Sequence, residues 1–201
     1  MFDTKQATVF IVDDDDDFRD SMQWLLESAN HQVVAYSSAQ QFLDQYNDEL
    51  GCMLLDVRMP EINGLALQQI LIDRGMKIPL VVISGHGDIP MAVTAIKNGA
   101  LDFIEKPFDD NVLLRLVEQA LQTACSQQQD LESHNAIKER YANLSRREKE
   151  VMELVVKGKA NREIAEELGI SPKTVEVHRS RVMSKMQADS LPELVRQAAA
   201  I

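Results

Sequence analysis

The sequence predicts two domains of different class. The first is an α/β domain on a doubly wound, five-stranded parallel sheet; the second is a small all-α domain of four helices. Three observations predict this. Within residues 1–124, short β-rich apolar runs alternate with helical periodicity five times, the series that builds a parallel sheet with helices on both faces. From Leu144 onward the pattern is helical only, with breaks at Gly158, Gly169 and Asp189. Charge divides the chain as well. Residues 1–124 carry 8 basic and 20 acidic side chains, whereas residues 125–201 carry 13 and 12, so the formal net charge of −11 belongs to the first part. A chain of 201 residues is long for one domain and ordinary for two.

The elements follow in order. Ala7–Val12 is an apolar run of strand length, and Phe18, Met22, Leu25, Leu26 and Ala29 then carry the stripe of an amphipathic helix. Gln32–Tyr36 reads as the second strand, followed by helical spacing at Ala39, Phe42, Leu43 and Tyr46. Cys52–Leu55 is the third strand and Leu65–Ile72 the third helix. Leu80–Ile83 is a fourth, β-branched run, and the helix over Met91–Asn98 stops at Gly99, a residue suited to a helix C-terminus. Leu101–Ile104 is the fifth strand, and Val112, Leu113, Leu116, Val117, Ala120 and Leu121 line the fifth helix. Residues 125–139 are a linker. Their polar composition allows a flexible one; the absence of Gly and Pro, with Leu121, Ala124, Gln128, Leu131, Ile137, Tyr141 and Leu144 in one stripe, favours a helical one. The domains are therefore expected at 5–124 and 140–201.

Several function classes are excluded early. The acidic balance is wrong for a uniformly basic nucleic-acid coat, yet the second domain, near neutrality, stays open to DNA. Two cysteines, Cys52 and Cys125, form neither a disulfide framework nor a metal spacing. Met1-Phe2-Asp3-Thr4-Lys5 has no signal pattern and no apolar run is long enough to span a membrane. A cytoplasmic protein is expected.

Asp13-Asp14-Asp15-Asp16-Asp17 directly follows the first strand. Alone, such a run fits a solvated turn at a helix N-terminus. In a parallel sheet, however, Asp56, Ser84 and Lys106 reach the same edge from the ends of the third, fourth and fifth strands. Clustered carboxylates suit Mg²⁺, which binds through one or two carboxylates plus phosphate oxygens. A lysine and a hydroxyl complete a clamp for phosphoryl oxygens, with Asp56 as nucleophile.

On these pieces residues 5–124 resemble a response-regulator receiver domain, the flavodoxin-like module of bacterial two-component signalling. The motifs are Ile11-Val12-Asp13-Asp14, Leu54-Leu55-Asp56-Val57-Arg58-Met59-Pro60, Asn63-Gly64, Ser84-Gly85-His86 and Phe103-Ile104-Glu105-Lys106-Pro107. The resemblance implies phosphoryl acceptance from a sensor histidine kinase at Asp56. It implies Mg²⁺ at Asp13, Asp14, Asp56 and the backbone carbonyl of Arg58; the junction with Val12 favours this register over Asp14 and Asp15. It further implies a switch made by Ser84 and Phe103, and pairing of Lys106 with the phosphoryl group.

Beyond residue 140, Ser145-x-x-Glu148 is a capping box, Asn161 is expected to cap a second helix, and Ser171 with Pro172 opens a third. Pro192 opens a fourth, from Glu193 to about Ala199. Helix, glycine turn, helix is the spacing of a helix-turn-helix, whose second helix enters the major groove. Residues 171–185 carry a net charge of +3. The run Leu144-Ser145, Arg147-Glu148, Glu150-Val151, Gly158, Asn161, Ile164-Ala165, Ile170-Ser171, Thr174-Val175, His178 resembles the LuxR-type DNA-binding domain, as paired with receivers in the FixJ/NarL group. Groove-facing candidates are Lys173, Thr174, Glu176, Val177, Arg179 and Ser180, with His178 on the same helix; Lys159, Asn161, Arg181 and Lys185 are candidates for phosphates. Glu176 can accept from a cytosine amino group. The expectation is a phosphorylation-activated transcription factor that forms a homodimer, binds promoter DNA through residues 161–180 and meets RNA polymerase. It is not expected to be an enzyme.

Overall fold

The structure is a computed structural model that describes residues 7–85 and 89–201; His86 lies outside the described residues. Five parallel strands form one sheet: β1 (Thr8–Val12), β2 (Gln32–Tyr36), β3 (Gly51–Asp56), β4 (Leu80–Ser84) and β5 (Asp102–Glu105), in the order β2-β1-β3-β4-β5. Between them run α1 (Asp16–Ser28), α2 (Ala39–Gln45), α3 (Gly64–Asp73) and α4 (Ile89–Lys97), and α5 (Asp110–Ala142) follows β5. Every residue of β3 and β4 is buried, as expected of strands covered on both faces.

Alternation along the strands builds two cores. On one face Val9, Ile11, Leu54 and Ile83 pack with Met22 and Leu26 of α1 and Leu113, Val117 and Leu121 of α5. On the other, Phe10, Val12, Leu55 and Val82 pack with Phe42 of α2, Leu67 and Leu71 of α3 and Ala95 of α4. With all strands parallel, the ends at Val12, Asp56, Ser84 and Glu105 share one edge of the sheet.

Element ends differ slightly from expectation, each for a local reason. α1 starts at Asp16, because Asp15 is its N-cap and accepts from the Phe18 N–H at 3.1 Å. α4 begins at Ile89 and ends in a glycine turn, with Gly99 at φ +92°. β5 is shifted by one residue, to Asp102–Glu105. Residues 125–139 are helical, within the single helix α5.

The chain divides into two compact units, at Gln129 and Asp130. In the second, the end of α5 is followed by α6 (Arg146–Val156), α7 (Asn161–Leu168), α8 (Pro172–Met186) and α9 (Leu191–Ala199). Its core joins Val151, Met152 and Val155 of α6, Ile164 of α7, Val175, Val182 and Met186 of α8 and Leu194 of α9. The α7–α8 turn needs Gly169, at φ +66° in the left-handed region.

Candidate functional sites

At the carboxyl edge of the sheet the Lys106 ammonium sits between two carboxylates. Its Nζ donates to Asp13 Oδ2 at 2.7 Å and to Asp56 Oδ1 at 2.9 Å. Asp13 and Asp56 are only 2% and 7% exposed, so the ammonium is what allows two carboxylates this close together. The other Asp56 oxygen, Oδ2, accepts from the Arg58 N–H at 2.6 Å. Asp13 Oδ1 likewise accepts from the Asp15 N–H at 2.9 Å. Both carboxylates are thus oriented from two sides. Ser84 ends β4 fully buried, and its carbonyl accepts from the Lys106 N–H at 2.8 Å. Phe103, half-buried on β5, packs against the cluster that contains Val82, Ala95 and Ala100.

Burial raises the Asp13 carboxyl above its ordinary range, a rise that the Lys106 and Asp15 hydrogen bonds oppose and do not cancel. For Lys106, burial pulls the ammonium down, but hydrogen bonds to Asp13 and Asp56 outweigh it and the net shift is upward. One ammonium against two ionised carboxylates leaves a negative charge, and every donor is a hard oxygen. That chemistry fits Mg²⁺, for which two carboxylates suffice. Among the described residues no three His, Cys, Asp or Glu side chains form a metal-holding group, and Asp14 is exposed beside the pair.

Two residues of this site escaped the sequence reading. Arg19 Nη1 donates to the Asp13 carbonyl at 2.7 Å and its Nη2 pairs with Asp16. The Phe18 ring lies 3.5 Å below the Lys106 ammonium, a cation–π contact, and stacks edge-on with Phe108. Periodicity marks Phe18 as a core position, and only the fold brings it to Lys106.

In the helical unit, Ser171 caps α8 by accepting from the Thr174 N–H at 3.1 Å, with Pro172 in the first turn. Lys173, Thr174, Glu176, Val177, Ser180 and Arg181 are exposed on this helix. One expectation needs correction, and four candidates for DNA contact have surroundings that the sequence did not show. The N-cap of α7 is Ala160; Asn161 is the first helical residue, and Glu163 closes the end by accepting from the Ala160 N–H at 2.6 Å. Asn161 Oδ1 instead accepts from Arg179 Nη1 at 2.8 Å. Lys159 is paired with Glu167. Lys185 is tied to Glu148 Oε2 at 2.7 Å and to the Asn143 carbonyl at 3.3 Å. His178 is half-buried, its Nδ1 enclosed in protein and without a hydrogen-bond partner among the described residues. Arg162, exposed beside Asn161 and overlooked in the sequence, has no ion-pair partner among the described residues.

Glu148 is the structural counterpart of this surface. It lies 3% exposed in the capping box of α6, its Oε2 accepting from the Ser145 N–H at 2.8 Å and from Lys185. The Lys185 hydrogen bond, then the Ser145 amide, hold its carboxyl down at about 2. A lowered value stabilises the folded state above the ordinary carboxylate pKa of 4.5, and the contribution fades as pH falls from there towards 2. Glu148→Gln is therefore expected to cost about 1–3 kcal/mol at pH 7. In urea unfolding the gap between wild type and variant should close near pH 2; a gap that ignores pH would contradict the assignment.

Comparison with known proteins identifies both domains. Residues 9–118 match the family described as the response regulator receiver domain, and residues 142–198 match the LuxR family of bacterial regulatory proteins. The transcriptional regulatory protein FixJ of Azorhizobium caulinodans is 48% identical over 191 residues, covering 94% of this chain and 90% of the relative. The response regulator protein TodT of Pseudomonas putida is 44% identical over 193 residues, covering 96% and 85%. Among solved structures, the response regulator StyR superposes with a TM-score of 0.88 at 40% identity, covering 98% of this chain and all of that one. The chain belongs to the response regulators that couple a receiver domain to a LuxR-type DNA-binding domain, the family of the FixJ transcriptional regulators.

Proposed function

We propose that this chain is a phosphorylation-activated transcription factor in which Asp56 takes a phosphoryl group from a sensor histidine kinase. The observation that carries the reading is the pair of buried carboxylates, Asp13 and Asp56, bridged by the half-buried Lys106, with Asp56 held on both oxygens. An Asp56 oxygen attacks phosphorus, the phosphorus–nitrogen bond of the donor phosphohistidine breaks, and an acyl phosphate forms. Lys106 neutralises charge on the transferring oxygens. Mg²⁺, when held by Asp13, Asp14, Asp56 and the Arg58 carbonyl, supplies further positive charge to those oxygens. Ser84 and Phe103 report occupancy to the β4–α4–β5 surface, where Ile89, Val93, Ile96 and Leu101 are exposed. That apolar surface supports homodimerisation on phosphorylation.

The receiver domain occupies residues 5–124, residues 125–139 link it, and residues 140–201 bind promoter DNA. Lys173, Thr174, Glu176, Val177, Arg179 and Ser180 read bases, with His178 on the same helix, while Lys159, Arg181 and Lys185, together with Arg162, touch phosphates. The relatives' names support a regulator rather than a turnover enzyme. No helix among the described residues is long and apolar enough to cross a membrane, and a cytoplasmic regulator that contacts RNA polymerase is the consistent setting. Sedimentation and operator binding of the full chain, with and without beryllium fluoride on Asp56, test this function. Loading should produce a dimer and tighter operator binding; a loaded protein of unchanged mass and affinity would refute the coupling. Binding should also weaken steeply with salt, through counterion release.

A further inference from the structure

Asn161 opens α7, and Arg179 lies on α8, the helix read above as the recognition helix. Their side chains meet through Arg179 Nη1–H and Asn161 Oδ1 at 2.8 Å, both half-buried. This contact differs in kind from those of Lys159 and Lys185, whose charges are paired with Glu167 and Glu148. An amide oxygen carries no charge. Arg179 therefore keeps its full positive charge, with no ion-pair partner among the described residues, while its torsional freedom is restricted. A long arginine normally loses much rotamer entropy when it meets a ligand. Ordering it in the free protein removes that cost from the binding step.

We propose that Asn161 is a positioning residue for sequence readout, its Oδ1 holding the Arg179 guanidinium ready for a base edge. The role rests on the DNA-binding reading of residues 161–180. The matching chemistry is the O6 and N7 acceptor pair of guanine in the major groove, which fits a guanidinium fork. One Arg179 N–H is spent on Asn161, and the Nε–Nη2 side of the fork remains for the base. Asn161 touches no DNA in this arrangement and acts through Arg179.

The test uses the full chain loaded with beryllium fluoride, an operator recovered by the wild type from randomised DNA, and a scrambled duplex of equal length. The quantity read is the ratio of operator to scrambled affinity. Asn161→Ala should lower that ratio about tenfold, the worth of one hydrogen bond, and leave scrambled-duplex affinity and its salt slope unchanged. Asn161→Gln keeps an uncharged amide oxygen and should restore part of the ratio. In an Arg179→Ala background, Asn161→Ala should add nothing. Arg179→Lys keeps the charge but loses the fork, so it should lower the ratio too; this variant leaves Asn161 and its helix end intact. Equal losses on both duplexes, with the salt slope reduced by about one, would show Asn161 on a phosphate and overturn the role. So would an unchanged ratio in Asn161→Ala, or additive losses in the double variant. A wild-type chain that retains no DNA sequence at low salt removes the DNA-binding reading itself, and the positioning role with it.

Discussion

Lys106→Met is expected to destabilise the receiver unit by about 3 kcal/mol at pH 7, the low end for breaking a buried ion pair. Methionine fills similar space but supplies no charge, so Asp13 and Asp56 would face each other across a buried site with no cation between them. The loss is held to the low end because burial has already raised the Asp13 proton affinity. A proton taken up by Asp13 in the folded variant relieves the repulsion, so the cost should shrink as pH falls from the raised Asp13 value towards the ordinary carboxylate value of 3.8. Two measurements check this. Urea unfolding should show the deficit shrinking as pH falls, and added Mg²⁺ should recover part of it at pH 7. A Lys106→Met protein as stable as wild type at pH 7 without divalent cations would mean that the two carboxylates are not ionised together.

Gly64→Ala is expected to be the most damaging single-methyl change near the site. A Cβ at Gly64 would lie 2.1 Å from the Asp56 carbonyl oxygen and 3.0 Å from the Val57 Cα, both backbone atoms of the segment that carries Asp56. The loop has little room to yield. The Gly64 N–H donates to the Val57 carbonyl at 2.9 Å, and Asn63 caps α3 by accepting from the Ala66 N–H at 2.9 Å. Relief must come from moving the β3 end, at about 1–3 kcal/mol for such overpacking. Because that end also carries the Arg58 N–H bonded to Asp56, phosphoryl acceptance should fall more than stability does. A misplacement near 1 Å can cost on the order of a hundredfold in rate. Gly75→Ala is the control: its Cβ meets nothing within 4 Å, and its φ of +70° confines the cost to local strain. A Gly64→Ala protein that labels at the wild-type rate would show that the loop has slack the backbone distances do not allow.

Some of this site was legible in the chain and some was not, and the division follows whether strand topology or helix docking brings the residues together. Asp56, Ser84 and Lys106 are readable because each ends an apolar run, and parallel strands carry run ends to one edge. The sheet itself is readable from runs such as Leu80–Ile83, which a helix-covered parallel strand requires. Arg19 and Phe18 are not readable in their roles. Helical periodicity reports that Phe18 is inward-facing, but its place under Lys106 depends on how α1 docks on the sheet. The same holds for Lys185 with Glu148 and Arg179 with Asn161, which are joined by helix packing. A local rule failed at Ala160. Asparagine is a favoured cap, yet the Ala160 N–H donating to the Glu163 carboxylate places the helix start one residue earlier and leaves Asn161 available to Arg179.

The central claim is that Asp56 is the acceptor and that its neighbours make it one. Incubation of the full chain with a small phosphodonor, followed by peptide mass mapping, tests it most directly. With Mg²⁺, one phosphoryl group should appear on the peptide containing Asp56; chelation of divalent cations or Asp56→Asn should abolish it. A phosphoryl group of equal yield on another residue, or undiminished labelling of the Asp56→Asn protein, would contradict the account.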